Sequence, residues 1–189
     1  AKIDHLVIGA DNLISGTSIL EKKLNTKLLP GGEHKVMGTH NNLLKLQSEI
    51  YLEVIANNPN ADKPARPRWF SLDEDNIIEK IKVTPRALCW VLEVKNIEDT
   101  VKNCGYNPGE ILQLSRNGMN WKVTVPPDGR LIDNGILPIL IEWNKDQHPS
   151  TKLSNSKVSL KKLRLYHPDS IKINNIISNL IQSDLIEIL

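Results

Sequence analysis

The chain opens with alternating polar and apolar positions that are typical of a β-strand. Leu6 and Ile8 would face one side of a strand over residues 2–9. His5 and Val7 would then face the other side, because successive side chains of a strand point to opposite faces. The first element is therefore predicted to be a strand with a histidine on one of its faces.

A helix and three short strands are predicted to follow this strand. Asp11 can cap the helix, and its inward positions recur every three or four residues, at Leu13, Thr17, Leu20 and Leu24. Pro30-Gly31-Gly32 ends that pattern. The three strands are predicted around residues 35–38, 43–46 and 50–56.

The same order of elements returns after residue 85. The pattern predicts a strand at 87–94, a short helix at 97–104 and three strands at 110–115, 120–125 and 136–143. Residues 1–57 and 86–145 are thus predicted to be two βαβββ modules of one domain over residues 1–150. An Asn- and Pro-rich loop at 58–85 joins them, and a loop of this length commonly covers a site.

The C-terminal part is predicted to be a linker followed by a partial third module over residues 151–189. A strand is predicted at Val158–His167, and Asp169 can cap the helix that follows. The apolar tail Ile186–Leu189 resembles the beginning of another strand.

Composition and charge exclude several classes of protein. The 189 residues are 40% hydrophobic and 24% charged, as in soluble globular proteins, and 24 basic against 22 acidic residues leave a formal charge of +2. This balance indicates neither a nucleic-acid nor a membrane partner, and the apolar stretches are too short to cross a bilayer. With two cysteines there is no disulfide framework, so we expect a cytoplasmic protein; without a Gly-rich phosphate loop we expect no nucleotide cofactor.

Polar side chains interrupt apolar strands at three positions. They are His5 in the first strand, Glu53 within Tyr51–Ile55, and Glu142 after Leu137–Ile141. A buried carboxylate needs a cation, a metal or a proton. Each residue therefore either has a functional role or pairs with a structural partner inside the protein. For Glu53, that partner could be an arginine. If the modules pair by pseudo-twofold symmetry, Cys89 takes the fourth matching position.

These strands, together with several short motifs, give the sequence its resemblance to a known family. The motifs are Ile3–Ile8, Pro30–His34, Gly38–Asn41, Tyr51–Glu53, Arg66–Phe70, Pro138–Trp143 and His148-Pro149. Together they resemble the glyoxalase-like domain of the vicinal oxygen chelate superfamily, over about residues 3–169. The resemblance implies an α+β fold of paired βαβββ modules forming a half-open barrel around a pocket, here with an extra C-terminal βα unit. Homodimers are also expected from it.

The resemblance also implies a divalent metal ion at the matching strand positions. It assigns His5, Glu53 and Glu142 as ligands and Cys89 as a fourth position, where relatives more commonly have His, Gln or Glu. With the ion polarising two adjacent oxygens of a small metabolite, Glu53 or Glu142 would move a proton, in a lyase or isomerase reaction. The alternative is a metal-free protein that sequesters a small molecule, as some members of the superfamily do with drugs.

Several other side chains are candidates for the wall of the pocket. Arg66 and Arg68 with Trp69 either clamp an anionic substrate or tie down the long loop. His40 is a candidate pocket residue, and Arg116 and Trp121 flank the Asn117-Gly118 turn where they could line the same mouth. The expected partner is therefore a small molecule.

Overall fold

A computed structural model describes residues 1–144 and 147–189 of the chain. It shows that two βαβββ modules form the body of the protein. The first consists of β1 (Lys2–Gly9), α1 (Leu13–Leu24), β2 (Leu29–His34), β3 (Thr39–Gln47) and β4 (Ile50–Asn57). The second consists of β5 (Arg86–Glu93), α3 (Ile97–Asn103), β6 (Glu110–Arg116), β7 (Met119–Val125) and β8 (Ile139–Trp143). Between them lies α2 (Asp75–Val83), and short 3-10 turns occupy Lys35–Met37, Ile132–Gly135 and Pro149–Thr151.

The strands form one curled sheet in which the modules meet edge to edge. Its order is β2-β3-β4-β1-β5-β8-β7-β6. β1 is parallel to β4 and β5 is parallel to β8, while β1 and β5 are antiparallel and join the modules. The predicted α+β fold, a half-open barrel of paired βαβββ modules, is confirmed.

The junction between the modules places β1 directly against β5. His5 pairs with Val91 across it, and Val7 pairs with Cys89. Gly135, in the turn before β8, has a φ of 89° and lies so close to β5 that a Cβ would be 1.9 Å from the Leu88 carbonyl oxygen. The concave face of the sheet at this junction holds the candidate site.

Three local predictions for the first part of the chain need correction. The second strand begins at Leu29 and contains Pro30-Gly31-Gly32, a sequence that an edge strand tolerates because it needs ladder hydrogen bonds on one side only. Asn12, not Asp11, caps α1, with its side-chain oxygen accepting from the Ile14 and Ser15 amides. The loop predicted at 58–85 contains α2, whose Ile77 and Ile81 are buried.

The C-terminal unit is a small βαβ structure beside the main sheet. It consists of β9 (Leu163–Leu165), α4 (Ser170–Leu180) and β10 (Ile186–Ile188), with β9 and β10 parallel to each other. Asp169 caps α4 as predicted, but the strand predicted at Val158–His167 is confined to three residues. Among the residues that the structure describes, no helix has both the length and the apolar character needed to cross a membrane.

Candidate functional site

An inner cavity of about 40 Å³ lies on the concave face of the sheet, at the module junction. Polar side chains on one part of its wall come from β1, β2, β3, β4 and β6: His5, His34, Asn41, Tyr51, Glu53 and Arg116. Aromatic side chains cover much of the remainder: Trp69, Phe70, Trp121 and Trp143. Charged and polar groups enclosed by apolar walls are the usual composition of a small-molecule site.

His5 and Glu53 form a buried ion pair in this cavity. His5 Nε2 lies 3.4 Å from Glu53 Oε2, and the ring stacks on Tyr51 with centroids 4.5 Å apart. Burial disfavours a charged imidazole, but the hydrogen bonds with Asp4 and Glu53 outweigh it and raise the pKa of His5 to about 9. His5 is therefore a buried cation at neutral pH.

Glu53 is held as a carboxylate by partners on both oxygens. Burial opposes its charge, but the hydrogen bond and the charge of His5, with the amide of Asn41 as a further donor, lower the pKa of Glu53 to about 2. Asn41 Oδ1 in turn accepts from Arg116 Nη1 over 3.2 Å. The carboxylate is thus linked through one amide to the guanidinium on the far wall.

Asp4 supports His5 from outside the cavity wall. Its buried carboxylate accepts from His5 Nδ1, from Trp143 Nε1 at 2.8 Å and from His148 Nε2 at 3.0 Å. Burial opposes the charge, but these hydrogen bonds hold the pKa of Asp4 well below its usual range. Because Asp4 fixes the orientation of the His5 ring, Nε2 is the nitrogen that faces Glu53.

Asp4 also belongs to a group of residues that could hold a metal ion. Asp4, Glu93 and His148 each offer one ligand-type atom, and these atoms all lie within 4.8 Å of one another. The group is already engaged: Lys2 Nζ lies 3.2 Å from Glu93 Oε2, and His148 Nδ1 accepts from the Ser150 amide over 3.2 Å. His148 Nε2 therefore carries the proton that it donates to Asp4, and an ion would have to displace that proton.

Arg116 and His34 face each other where the two edge strands approach. Arg116 Nη1 donates to His34 Nε2 over 2.9 Å, so His34 Nδ1 carries the proton and donates to Thr39 Oγ1 at 3.2 Å. Burial, with the nearby Arg116 charge, lowers the pKa of His34 to about 3, despite the opposing charge of Glu53. His34 is a neutral support for a charged arginine.

A larger space, the outer groove, lies outside the inner cavity. Its volume is about 730 Å³, and it shares His34, Arg116 and Trp121 with the cavity wall. Its other walls come from β2, from the turn at Lys35–Met37 and from the hairpin of β6 and β7. The outer groove is therefore a second compartment bordering the first.

Glu142 does not join His5 and Glu53. In β8 the residues that line the cavity are Ile139, Ile141 and Trp143, so the alternation of the strand turns Glu142 to the opposite face. There its Oε2 accepts from the Ile97 amide at the start of α3 over 2.7 Å, and its Oε1 lies 3.4 Å from Lys122 Nζ. Its position indicates a structural role at a helix N-terminus.

Cys89 is not the residue opposite His5. That place belongs to Val91, while Cys89 pairs with Val7 and is not among the residues that line the cavity. Burial raises the pKa of the Cys89 thiol well above its ordinary value, which disfavours the thiolate that binds metals. Val91 and Ile141 of the second module face the cavity. The metal hypothesis needs ligands at these places, and both side chains are apolar.

The remaining candidates divide into residues at the cavity and residues engaged elsewhere. Trp69, Arg116 and Trp121 line the cavity. Arg66 donates to the Pro126 carbonyl at 3.2 Å and pairs with Glu110 at 2.9 Å, and Arg68 pairs with Asp73 at 2.7 Å. His40 lies on neither the cavity nor the outer groove.

Sequence reasoning missed four polar residues of the site. Asp4, His34, Asn41 and His148 enter the sequence analysis only as members of the short motifs that carry the resemblance. The available signal was their position: Asp4 adjoins His5, and Asn41 lies in the strand that pairs with Glu53's strand. Alternation along β3 could have placed Asn41 on the face of Glu53.

The comparisons with known proteins agree with this architecture. Residues 3–181 match the family described as the glyoxalase-like domain. The chain belongs to the glyoxalase-like domain family. A hypothetical protein from Staphylococcus aureus superposes on it with a TM-score of 0.60 at 17% identity, covering 97% of this chain and 79% of that one. No curated protein matches the sequence.

An enzyme is also among the structural neighbours of this glyoxalase-like chain. A variant of Streptomyces coelicolor methylmalonyl-CoA epimerase, in complex with 2-nitronate-propionyl-CoA, is 11% identical with a TM-score of 0.51, covering 79% of this chain and 99% of that one. A superposition at this identity shows a shared fold alone, and chemistry must be argued from the site itself.

Proposed function

We propose that this glyoxalase-like protein acts on a small oxygen-rich anion that places its carboxylate in the inner cavity, by metal-independent acid–base chemistry of the isomerase or lyase type. The observation that carries the proposal is the convergence of two cations and one carboxylate on a single cavity: His5, Arg116 and Glu53. Cations enclosed by apolar walls attract an anion more strongly than they would in water.

The donor geometry suits a 2-oxo acid. The Arg116 guanidinium can donate to a carboxylate, and His5 Nε2, on exchanging Glu53 for the ligand, can donate to the adjacent keto oxygen. A carbon-bound hydrogen next to the keto group would pass to the Glu53 carboxylate. The electron pair of that bond would form a C=C bond to the keto carbon while the carbonyl π pair moves to the keto oxygen, where His5 stabilises the negative charge. Reprotonation at carbon, or loss of a neighbouring group, would complete an isomerase or a lyase reaction.

The side chains at the cavity do not fit the three-ligand metal site implied by the resemblance. Glu142 caps α3 on the other face, and Ile141 occupies the inward place in β8. A catalytic divalent ion commonly has three protein ligands, and only His5 and Glu53 remain here. A metal ion would find its ligand-type atoms at Asp4, Glu93 and His148, outside the cavity lining.

Binding without turnover is the second candidate function, and one observation favours it. Both oxygens of Glu53 are engaged, one by Asn41 and the other by His5. A carboxylate that keeps these partners when a ligand is present cannot accept a proton readily. The protein would then retain a small anion and leave it unchanged.

Pyruvate in D₂O tests both candidates. Calorimetry should show binding of pyruvate that weakens tenfold or more in Arg116→Gln and in His5→Gln. Proton NMR should show faster exchange of the pyruvate methyl hydrogens with the wild-type protein, and no acceleration with Glu53→Gln. Glu142→Gln is the matched control, since it removes a carboxylate from the other face of the sheet, and it should behave as wild type.

Each result of this experiment decides between the candidates. Binding with accelerated exchange supports the enzyme. Binding without exchange supports the retention of an unchanged anion. Absence of pyruvate binding at millimolar concentration would overturn both.

A further inference from the structure

The inner cavity is too small for a whole metabolite. A buried water needs roughly 10–15 Å³ of such space, so about 40 Å³ accommodates about three water-sized groups. A carboxylate has three heavy atoms and matches this volume. The remainder of any larger ligand must lie outside the cavity.

The outer groove is the adjoining space with room for that remainder. It measures about 730 Å³, and Arg116, His34 and Trp121 form the boundary that it shares with the inner cavity. Arg116 Nε is buried and has no hydrogen-bond partner, although Nη1 is bonded to His34 and Asn41. An unsatisfied guanidinium donor at this boundary indicates a place for an anionic oxygen of a ligand.

The outer groove has three apolar side chains among wall residues that are mostly polar. Val36, which is 53% exposed, lies on one side, and Leu114 and Trp121 lie on the other. The positive charge of Lys35 is offset by the negative charge of the neighbouring Glu33. Apart from Arg116, the residues that line the groove therefore carry almost no net charge. Ring or alkyl surface would be removed from water against these three side chains.

We propose that the ligand has two parts, a carboxylate-containing head in the inner cavity and an apolar body in the outer groove, with Arg116 binding the head where the two spaces meet. This inference rests on the proposed function and names its substrate class: 2-oxo acids with a bulky apolar substituent. The size of the substituent, more than the head, sets the affinity.

Pyruvate and phenylpyruvate test the inference, because they share the 2-oxo acid head and differ in the body. Wild-type protein should bind phenylpyruvate at least tenfold more tightly than pyruvate in calorimetry. Ser115→Trp, from an exposed position in the groove, should lower the phenylpyruvate affinity at least tenfold and the pyruvate affinity much less, so that the ratio disappears. Gln113→Trp is the matched control, because Gln113 is exposed on the same strand outside the groove, and it should keep the wild-type ratio.

The outcomes separate this inference from the proposed function. If pyruvate binds and phenylpyruvate binds no better, the two-part ligand is wrong and the proposed function stands. If neither binds, the proposed function fails and the inference fails with it. Val36→Trp blocks the groove from the opposite side. Loss of pyruvate affinity in both blocking variants would contradict separate sites for head and body.

Discussion

Arg116 donates a hydrogen bond from Nη1 to Nε2 of His34 over 2.9 Å, and this contact joins the two edge strands of the curled sheet. A guanidinium cannot accept a hydrogen bond, so the histidine nitrogen that faces it is unprotonated. A Cβ at Gly32 would lie 3.0 Å from Arg116 Cδ, which shows how closely β2 approaches β6 here. The contact keeps Nε2 of His34 unprotonated and holds the Arg116 guanidinium in position.

The tautomer of His34 gives a first prediction. Ring nitrogen chemical shifts from ¹⁵N NMR should show Nδ1 protonated and Nε2 unprotonated, with no titration between pH 7 and pH 4.5, because the pKa of His34 is lowered from 6.5 to about 3. A His34 signal that titrates near its ordinary pKa of 6.5 would contradict the contact with Arg116.

The pH dependence of stability gives a second prediction. As pH falls from 6.5 toward 4.5, the unfolded chain takes up a proton at His34 and the native protein, with a pKa of about 3 there, does not. The free energy of unfolding should therefore fall, by on the order of 2 kcal/mol from this group. Urea denaturation across this range measures how steeply the free energy of unfolding changes with pH. His34→Gln should reduce this slope. His167→Gln, which lies outside the cavity, is the control and should keep it.

Above pH 6.5 the slope should have the opposite sign. The pKa of His5 is raised to about 9, so between pH 6.5 and 9 the native protein holds a proton that the unfolded chain has lost. The stabilisation from His5 is complete below pH 6.5 and disappears as pH rises through 9. A flat profile over this range would mean that the His5 and Glu53 pair does not exist.

Two glutamates in corresponding last strands should differ in their contribution to stability. Glu53→Gln removes one of the two carboxylates that hold the buried His5 cation, and we expect a loss of up to about 3 kcal/mol at pH 7. Glu142→Gln retains an oxygen that can accept from the Ile97 amide, so a loss of about 1 kcal/mol or less is expected. Chemical denaturation of both variants measures the difference, and equal losses would place Glu142 in the same network as His5.

Removing metal ions should leave the site intact. Because His5 and Glu53 are paired with each other and His34 Nε2 accepts from Arg116, treatment with EDTA followed by gel filtration should change neither the melting temperature nor the pyruvate affinity. The control is the same protein with one equivalent of Mn²⁺ or Zn²⁺ restored. A tenfold loss of affinity that the restored ion reverses would show a metal-dependent site.

The first βαβββ module was predictable because its chemistry follows from local alternation. His5 and Glu53 interrupt apolar strands, and a polar group at such a position either serves the pocket or has a buried partner. In the second module the same logic selected Glu142, which also interrupts an apolar strand. The strand has two buried faces, one against the cavity and one against α3, and sequence alternation alone does not distinguish them.

By itself, the sequence determined the repeated order of elements, the turns between them and three of the charged residues that line the cavity, His5, Glu53 and Arg116. These depend on neighbours within a few positions along the chain. Tertiary structure alone decided the pairing of His5 with Val91 and the contact of Arg116 with His34. Both depend on the register between strands from different modules, because a shift of one residue turns each side chain to the other face of the sheet.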